Sequence, residues 1–192
     1  GKLAELEPVP YLKKMKLDLD SKFFETTNEG DIEIYDYPDH DMGYVIGADV
    51  ALGVGKDYSA AVVIDENRNI VAAYRNNRID PSKFGDFLFY LGRYYNNALL
   101  AVESNSMGIA TLQKLDDMGY INLYKQTKIA NVSREEGERL GFRTTTATRP
   151  TIIGNLKNAL ENDDVYVPSA EIIQELKDYI VNDQGKAEAA AG

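Results

Sequence analysis

Hydrophobic and polar positions follow no clear period over the first forty residues and then fall into regular ones. Up to His40 the chain is irregular and rich in charge, broken by Pro8, Pro10 and Pro38, and only residues 31–37 (DIEIYDY) alternate like a short strand. From Tyr44 the pattern sharpens. YVIGADVAL reads as an apolar strand, SAAVVID (Ser59–Asp65) as a second and NIVAAYR (69–75) as a third, with a tight polar turn at Glu66, Asn67 and Arg68 that predicts an antiparallel hairpin.

After Asp80, Pro81 and Ser82, which supply an N-cap and a proline in the first turn, Phe84, Phe87, Leu88, Leu91, Tyr94 and Tyr95 recur at helical spacing. The run ALLAVE (98–103) is short, apolar and closed abruptly by Glu103, as a central parallel strand would be. GIATLQKLDDMG predicts a second helix ending at Gly119, and INLYK a short strand. Residues 126–148 form a polar excursion, followed by the helices RPTIIGNLKNALEN and SAEIIQELKDYIVN. The order of three strands, helix, strand, helix, strand and helices makes the chain α/β. The expected organisation is a linker and edge strand over 1–40 and one domain over 41–192, and the absence of an initial Met fits an excised fragment or, equally, a processed chain.

Composition narrows the chemistry. A chain of 192 residues, 44% hydrophobic and 27% charged, can bury one sizeable core. No stretch approaches the roughly 18 apolar residues of a membrane span, and the start lacks the apolar core of a signal peptide, so the sequence reads as soluble and intracellular, with no membrane partner. With no cysteine and a single histidine, His40, thiolate sites and imidazole clusters are excluded. Any metal must sit on oxygen, which favours Mg²⁺, Mn²⁺ or Ca²⁺. The net charge of −10 argues against nucleic acid, but residues 124–149 carry six basic residues (Lys125, Lys128, Arg134, Arg139, Arg143, Arg149) against Glu135, Glu136 and Glu138. That segment permits phosphate contacts and equally suits a solvated loop.

Two carboxylates stand out. Asp49 interrupts an apolar strand, where its desolvation is costly unless a cation or hydrogen bonds compensate; it is either a ligand or a strand-end residue already leaving the core. Glu103 repeats the pattern at the carboxyl end of its strand, the edge where open α/β sheets bind ligands. If the two strands are neighbours the carboxylates face one another, and a divalent cation is their natural neutraliser. Asp57, at the start of the second strand, returns to the same edge as an auxiliary metal residue or a turn cap. The intervening ALGVGK is no phosphate loop, because Lys56 is followed by Asp57 in place of Ser or Thr.

The segments VIGADVALGVGKDYSAAVVID, AVESNSMG and LGFRTTTATRPTIIGNLKNAL, in that order and spacing, resemble the nuclease domain of the large terminase subunit of tailed bacteriophages and their herpesvirus relatives, over about residues 31–192. The resemblance implies an RNase H-like fold, in which a central mixed sheet of three antiparallel strands and then parallel strands is flanked by helices. It also implies a metal-dependent endonuclease that cuts concatemeric double-stranded DNA in a viral packaging motor with two Mg²⁺ or Mn²⁺ ions. Asp49 and Glu103 match the family's first ligand and the acidic residue closing its fourth strand, and Asp57 a second Asp in the first segment. The implied partners are an N-terminal ATPase domain, the portal protein and the small terminase subunit, in the host-cell cytoplasm during virus assembly. Lys125, Lys128, Arg134, Arg139, Arg143 and Arg149 become possible phosphate contacts, although Arg149, next to Pro150, also suits helix structure.

The sequence departs from the family at the third ligand, an Asp pair near the carboxyl end. No such pair occurs before Gly192, and Asp183 lacks its context, so the resemblance implies either a domain that continues further or an incomplete site. Three rivals fit less well. A junction resolvase shares the fold and the carboxylates, and only the Thr148-Arg149-Pro150 segment and the long linker tip the reading away from it. An actin-like ATPase would need a later Asp-Gly-Gly loop. A non-catalytic DNA- or protein-binding module would keep a decayed site.

Overall fold

Buried residues alternate strictly with exposed ones along β4 (Tyr44–Asp49) and with half-buried ones along β5 (Ser59–Asp65), so each strand sends one set of side chains into a core and the other to the opposite face. The structure is a computed structural model that describes residues 2–128 and 137–189. β5 turns back through Arg68, at φ 64°, into β6 (Ile70–Asn76), and the two pair antiparallel as the sequence predicts. The buried Asp65 holds that turn by accepting from the Asn69 backbone amide at 2.8 Å and its side-chain amide at 3.0 Å.

The first forty residues carry more structure than their pattern suggests. β1 (Lys13–Asp18), β2 (Phe23–Thr26) and β3 (Ile32–Ile34) extend the sheet as a meander, β3 pairing with β6. In β1 only Met15 and Leu17 are buried, and the lysines around them hide the alternation. β2 is an edge strand with no buried residue, so its sequence has no reason to alternate. With β7 (Leu99–Val102) added, the order is β2-β1-β3-β6-β5-β4-β7, and β4 with β7 is the parallel pair.

α1 (Pro81–Tyr94) and α2 (Gly108–Asp117) cover one face. Asp80 caps α1 by accepting from the Ser82 and Lys83 amides, with Pro81 in the first turn as expected. Phe84, Phe87, Leu88, Leu91 and Leu115 are buried against Ile32, Ile34, Ile46, Val63 and Leu100 in the main core. Tyr74 stacks on Phe87 at 3.9 Å between ring centroids. On the other face, α3 (Arg149–Glu161) and α4 (Ala170–Ala189) form a smaller cluster in which Leu160 and Ile173 pack with Ile70, Val62 and Ile64. Among the described residues no helix is long and apolar enough to cross a membrane.

The strand expected at INLYK is shared between two places. Leu123 makes a single parallel bridge to Leu100, and the regular strand β8 (Lys125–Lys128) pairs with β9 (Gly137–Leu140) in a separate two-stranded sheet. The outer edge of β7 explains this. Leu100 is satisfied by Asn122 and Tyr124, whereas the Val102 carbonyl accepts from the Phe142 amide at 3.1 Å, so two segments share the edge. The polar excursion thereby returns to the sheet beside Glu103, which bridges Phe142.

Candidate metal centre

The parallel register of β4 and β7 runs from Val45 opposite Leu99 to Ala48 opposite Val102, so the next residues, Asp49 and Glu103, come side by side at the carboxyl ends of the strands. The Glu103 amide donates to the Ala48 carbonyl at 2.9 Å and extends the pairing by one residue. Tyr44, Ile46 and Ala48 occupy the core, so Asp49 lies on the opposite face with Val45 and Gly47.

Asp49 accepts from the Val50 amide at 2.9 Å and makes a long contact, 3.5 Å, with the Asn105 side-chain amide. Although the residue opens to solvent, burial of its carboxyl is the largest cause raising its pKa; the charge of Glu103, a hydrogen bond shared with Glu103 and the charge of Asp57 raise it further. Only the Val50 amide opposes them. Among the described residues neither Asp49 nor Glu103 has a lysine or arginine within ion-pair distance. Adjacent carboxylates with no cationic side chain to neutralise them, both offering oxygen, suit a hard divalent cation.

Asn105 is a residue the sequence reading did not single out. Its Oδ1 accepts from the Gly108 amide at 2.7 Å, so one side chain caps α2 and reaches Asp49. A polar residue ahead of a helix was visible in the sequence; its aim towards Asp49 was not. Gly108 is needed where α2 starts, because a Cβ there would stand 1.8 Å from the Glu103 carbonyl oxygen. Beside Glu103 a cleft of about 410 Å³ is lined by Ser104, Asn105, Ile109, Arg139, Arg143 and Thr144, among others. Oxygen ligands and guanidinium groups therefore share one cavity, an arrangement suited to a phosphate.

No protein-family model matches the sequence. Solved structures do match the fold. The large terminase nuclease from thermophilic phage G20c with bound magnesium superposes with a TM-score of 0.65 at 22% identity, over 92% of this chain and 77% of that one. The same nuclease with bound zinc gives 0.65 and 22% over 92% and 85%. The nuclease domain of the Thermus phage P74-26 large terminase gives 0.63 and 21% over 91% and 74%. The chain has the fold of the large terminase nucleases. Its mixed sheet flanked by helices is the RNase H-like arrangement expected from the sequence.

Within this terminase nuclease fold the remaining expected residues are dispersed. Asp57 is exposed, and its charge reaches Asp49. It does not converge with Asp49 and Glu103 as a tight triad: the described residues with three potential ligand atoms within 4.8 Å of one another are Asp39, His40 and Asp41, all exposed. His40 contacts only its two chain neighbours there, at 3.6 and 3.2 Å. Arg139 and Arg143 line the Glu103 cleft. Lys125 and Lys128 lie on β8, and Arg134 falls outside the described residues. Arg149 opens α3 and lines a different recess, between α3 and α4, with Ile152, Leu156 and Tyr179.

The raised pKa of Asp49 has a measurable consequence. The folded chain holds this proton more tightly than the unfolded chain, so the associated stability is full below the ordinary value of 3.8 and is lost as pH rises through the raised one. Thermal unfolding in EDTA should therefore show the Tm advantage of Asp49→Asn over the native chain growing with pH, to about 1–2 °C after allowing for solvent screening. Parallel Tm curves for the two proteins would contradict the assignment.

Proposed function

We propose that this chain is the nuclease domain of a tailed bacteriophage large terminase, a metal-dependent endonuclease that cuts concatemeric double-stranded DNA during genome packaging. The side-by-side placement of Asp49 and Glu103 at one sheet edge carries the reading. The fold shared with terminase nucleases, some described with bound magnesium, zinc or cobalt, supports it.

Asp49 and Glu103 would hold two Mg²⁺ or Mn²⁺ ions, with Asp57 as an auxiliary carboxylate. When bound, such ions supply Lewis-acid charge to water and to the scissile phosphate. Asn105 orients Asp49, and the backbone bond from Glu103 to Ala48 fixes the spacing of the pair. Arg139 and Arg143 hold the phosphate backbone without reading sequence, and Lys125, Lys128, Arg134 and Arg149 remain weaker candidates for that role. In the reaction the water oxygen bonds to phosphorus as the bond to the 3′ oxygen breaks, and the water proton ends on the departing 3′ hydroxyl. No residue of the chain is assigned as the family's third carboxylate. In the motor, the residues ahead of β1 would connect to a preceding ATPase domain, with the portal protein and small terminase subunit as further partners in the host-cell cytoplasm.

With Mn²⁺ or Mg²⁺ a longer form of the chain that supplies the third carboxylate is expected to nick supercoiled plasmid, and EDTA to stop it. Mn²⁺ should also raise the Tm of the native chain and leave that of Asp49→Asn unmoved. If millimolar Mn²⁺ neither stabilises the protein nor supports nicking, the reading is lost. Arg139→Ala and Arg143→Ala should each weaken DNA binding to a similar degree across unrelated sequences and reduce the slope of log K against log salt by about 1. Unchanged slopes would remove these arginines from the interface.

A further inference from the structure

The loop joining β4 to β5 leaves the sheet at the edge that carries Asp49 and Glu103, and it holds two branched aliphatic side chains out of the protein. Leu52 is 55% and Val54 61% exposed, whereas Val50 and Ala51 just before them are buried. Isolated apolar residues on a surface need no explanation, but two in one short loop beside a charged site do. The loop is anchored at several points. The Ala51 amide donates to the Ser59 hydroxyl at 2.9 Å, and the Gly55 amide to the Asn77 carbonyl at 2.8 Å. Gly53 has φ +76° and packs so closely that a Cβ would lie 2.3 Å from the Ile79 carbonyl oxygen. The backbone is thus pinned where Leu52 and Val54 point outward. Leu52 follows Asp49 by three residues, which limits their separation to about 10 Å. Lys56, in the same loop, places a cation beside the two aliphatics.

A pinned apolar tip with one lysine, Lys56, in the same loop and within reach of a phosphate-cutting site matches the chemistry of a wedge that enters a base step and unstacks it. We propose that Leu52 and Val54 form such a wedge, inserting between base pairs of duplex DNA next to the scissile phosphate. Unstacking kinks the backbone and lets one phosphate approach the carboxylates beside the Glu103 cleft. The wedge rests on the nuclease reading, since duplex DNA is its occupant.

The test compares the binding of the full chain, with Ca²⁺ as the metal, to a short duplex and to the same duplex carrying two adjacent mismatches. In the mismatched duplex the unstacking cost is already met, so the native chain should bind it about tenfold more tightly. The Leu52→Ala/Val54→Ala variant should bind the two duplexes equally and keep its Mn²⁺-induced rise in Tm. Equal binding by the native chain, or a preference that survives in the variant, overturns the wedge alone. A native chain that binds neither duplex overturns the nuclease reading beneath it.

Discussion

Asp49→Asn and Glu103→Gln are each expected to reduce metal-dependent DNA cutting by about 10³-fold or more while leaving the fold intact. Each substitution keeps the shape of the side chain and removes one negative charge from a pair that, among the described residues, has no arginine or lysine within ion-pair distance. A divalent ion contributes several kcal/mol to charge stabilisation at a phosphate, and each 1.36 kcal/mol is tenfold in rate, so losing a ligand costs about three decades. Asn105→Ala is a graded comparison. It touches Asp49 without being a ligand, and outer partners of this kind typically cost about 10–100-fold. Plasmid nicking rates, with circular dichroism to verify folding, separate these outcomes. Activity surviving in either carboxylate variant would remove that residue from the site.

The second large effect concerns Gly108. Gly-to-Ala changes in helices usually stabilise by up to about 1 kcal/mol, through the reduced freedom of the unfolded chain and the better helix propensity of alanine. Here a Cβ would meet the Glu103 carbonyl oxygen at 1.8 Å and the Asn105 Oδ1 at 3.3 Å. Backbone must move to relieve the first contact, so Gly108→Ala is expected to destabilise by about 2–4 kcal/mol and to displace Glu103 from Asp49. Gly154→Ala, within α3, provides the control, since nothing lies within 4 Å of its added Cβ, and there the usual stabilisation of about 0.5–1 kcal/mol should return. Urea denaturation of both variants tests the contrast in sign. Equal ΔG for Gly108→Ala and the native chain would show that the α2 start yields easily.

Several features of the site were legible because their signals are local. The strands β4, β5 and β6 announce themselves by apolar runs and a polar turn, and α1 by its Asp80 cap, its proline and apolar spacing that recurs every three or four residues. β1 was not legible because only Met15 and Leu17 face the core, among lysines, and β2 because an edge strand with no buried residue has little reason to alternate. The basic segment 124–149 was visible as charge alone. Arg139 and Arg143 reach the Glu103 cleft because Phe142 pairs with Val102, and Arg149 does not because α3 begins there and turns it towards a different recess.

Asp49 and Glu103 mark the same division. The sequence determined that each carboxylate ends an apolar strand, since burial period and strand length are properties of neighbouring residues. Their meeting was decided by the parallel register of β4 and β7, and their surroundings by Asn105, Gly108 and the return of Phe142 to the edge of β7. Lateral strand order is set by backbone hydrogen bonds, which carry no side-chain identity, and by helices packing across the sheet. Only the tertiary structure could place two half-sites, fifty-four residues apart in sequence, beside each other.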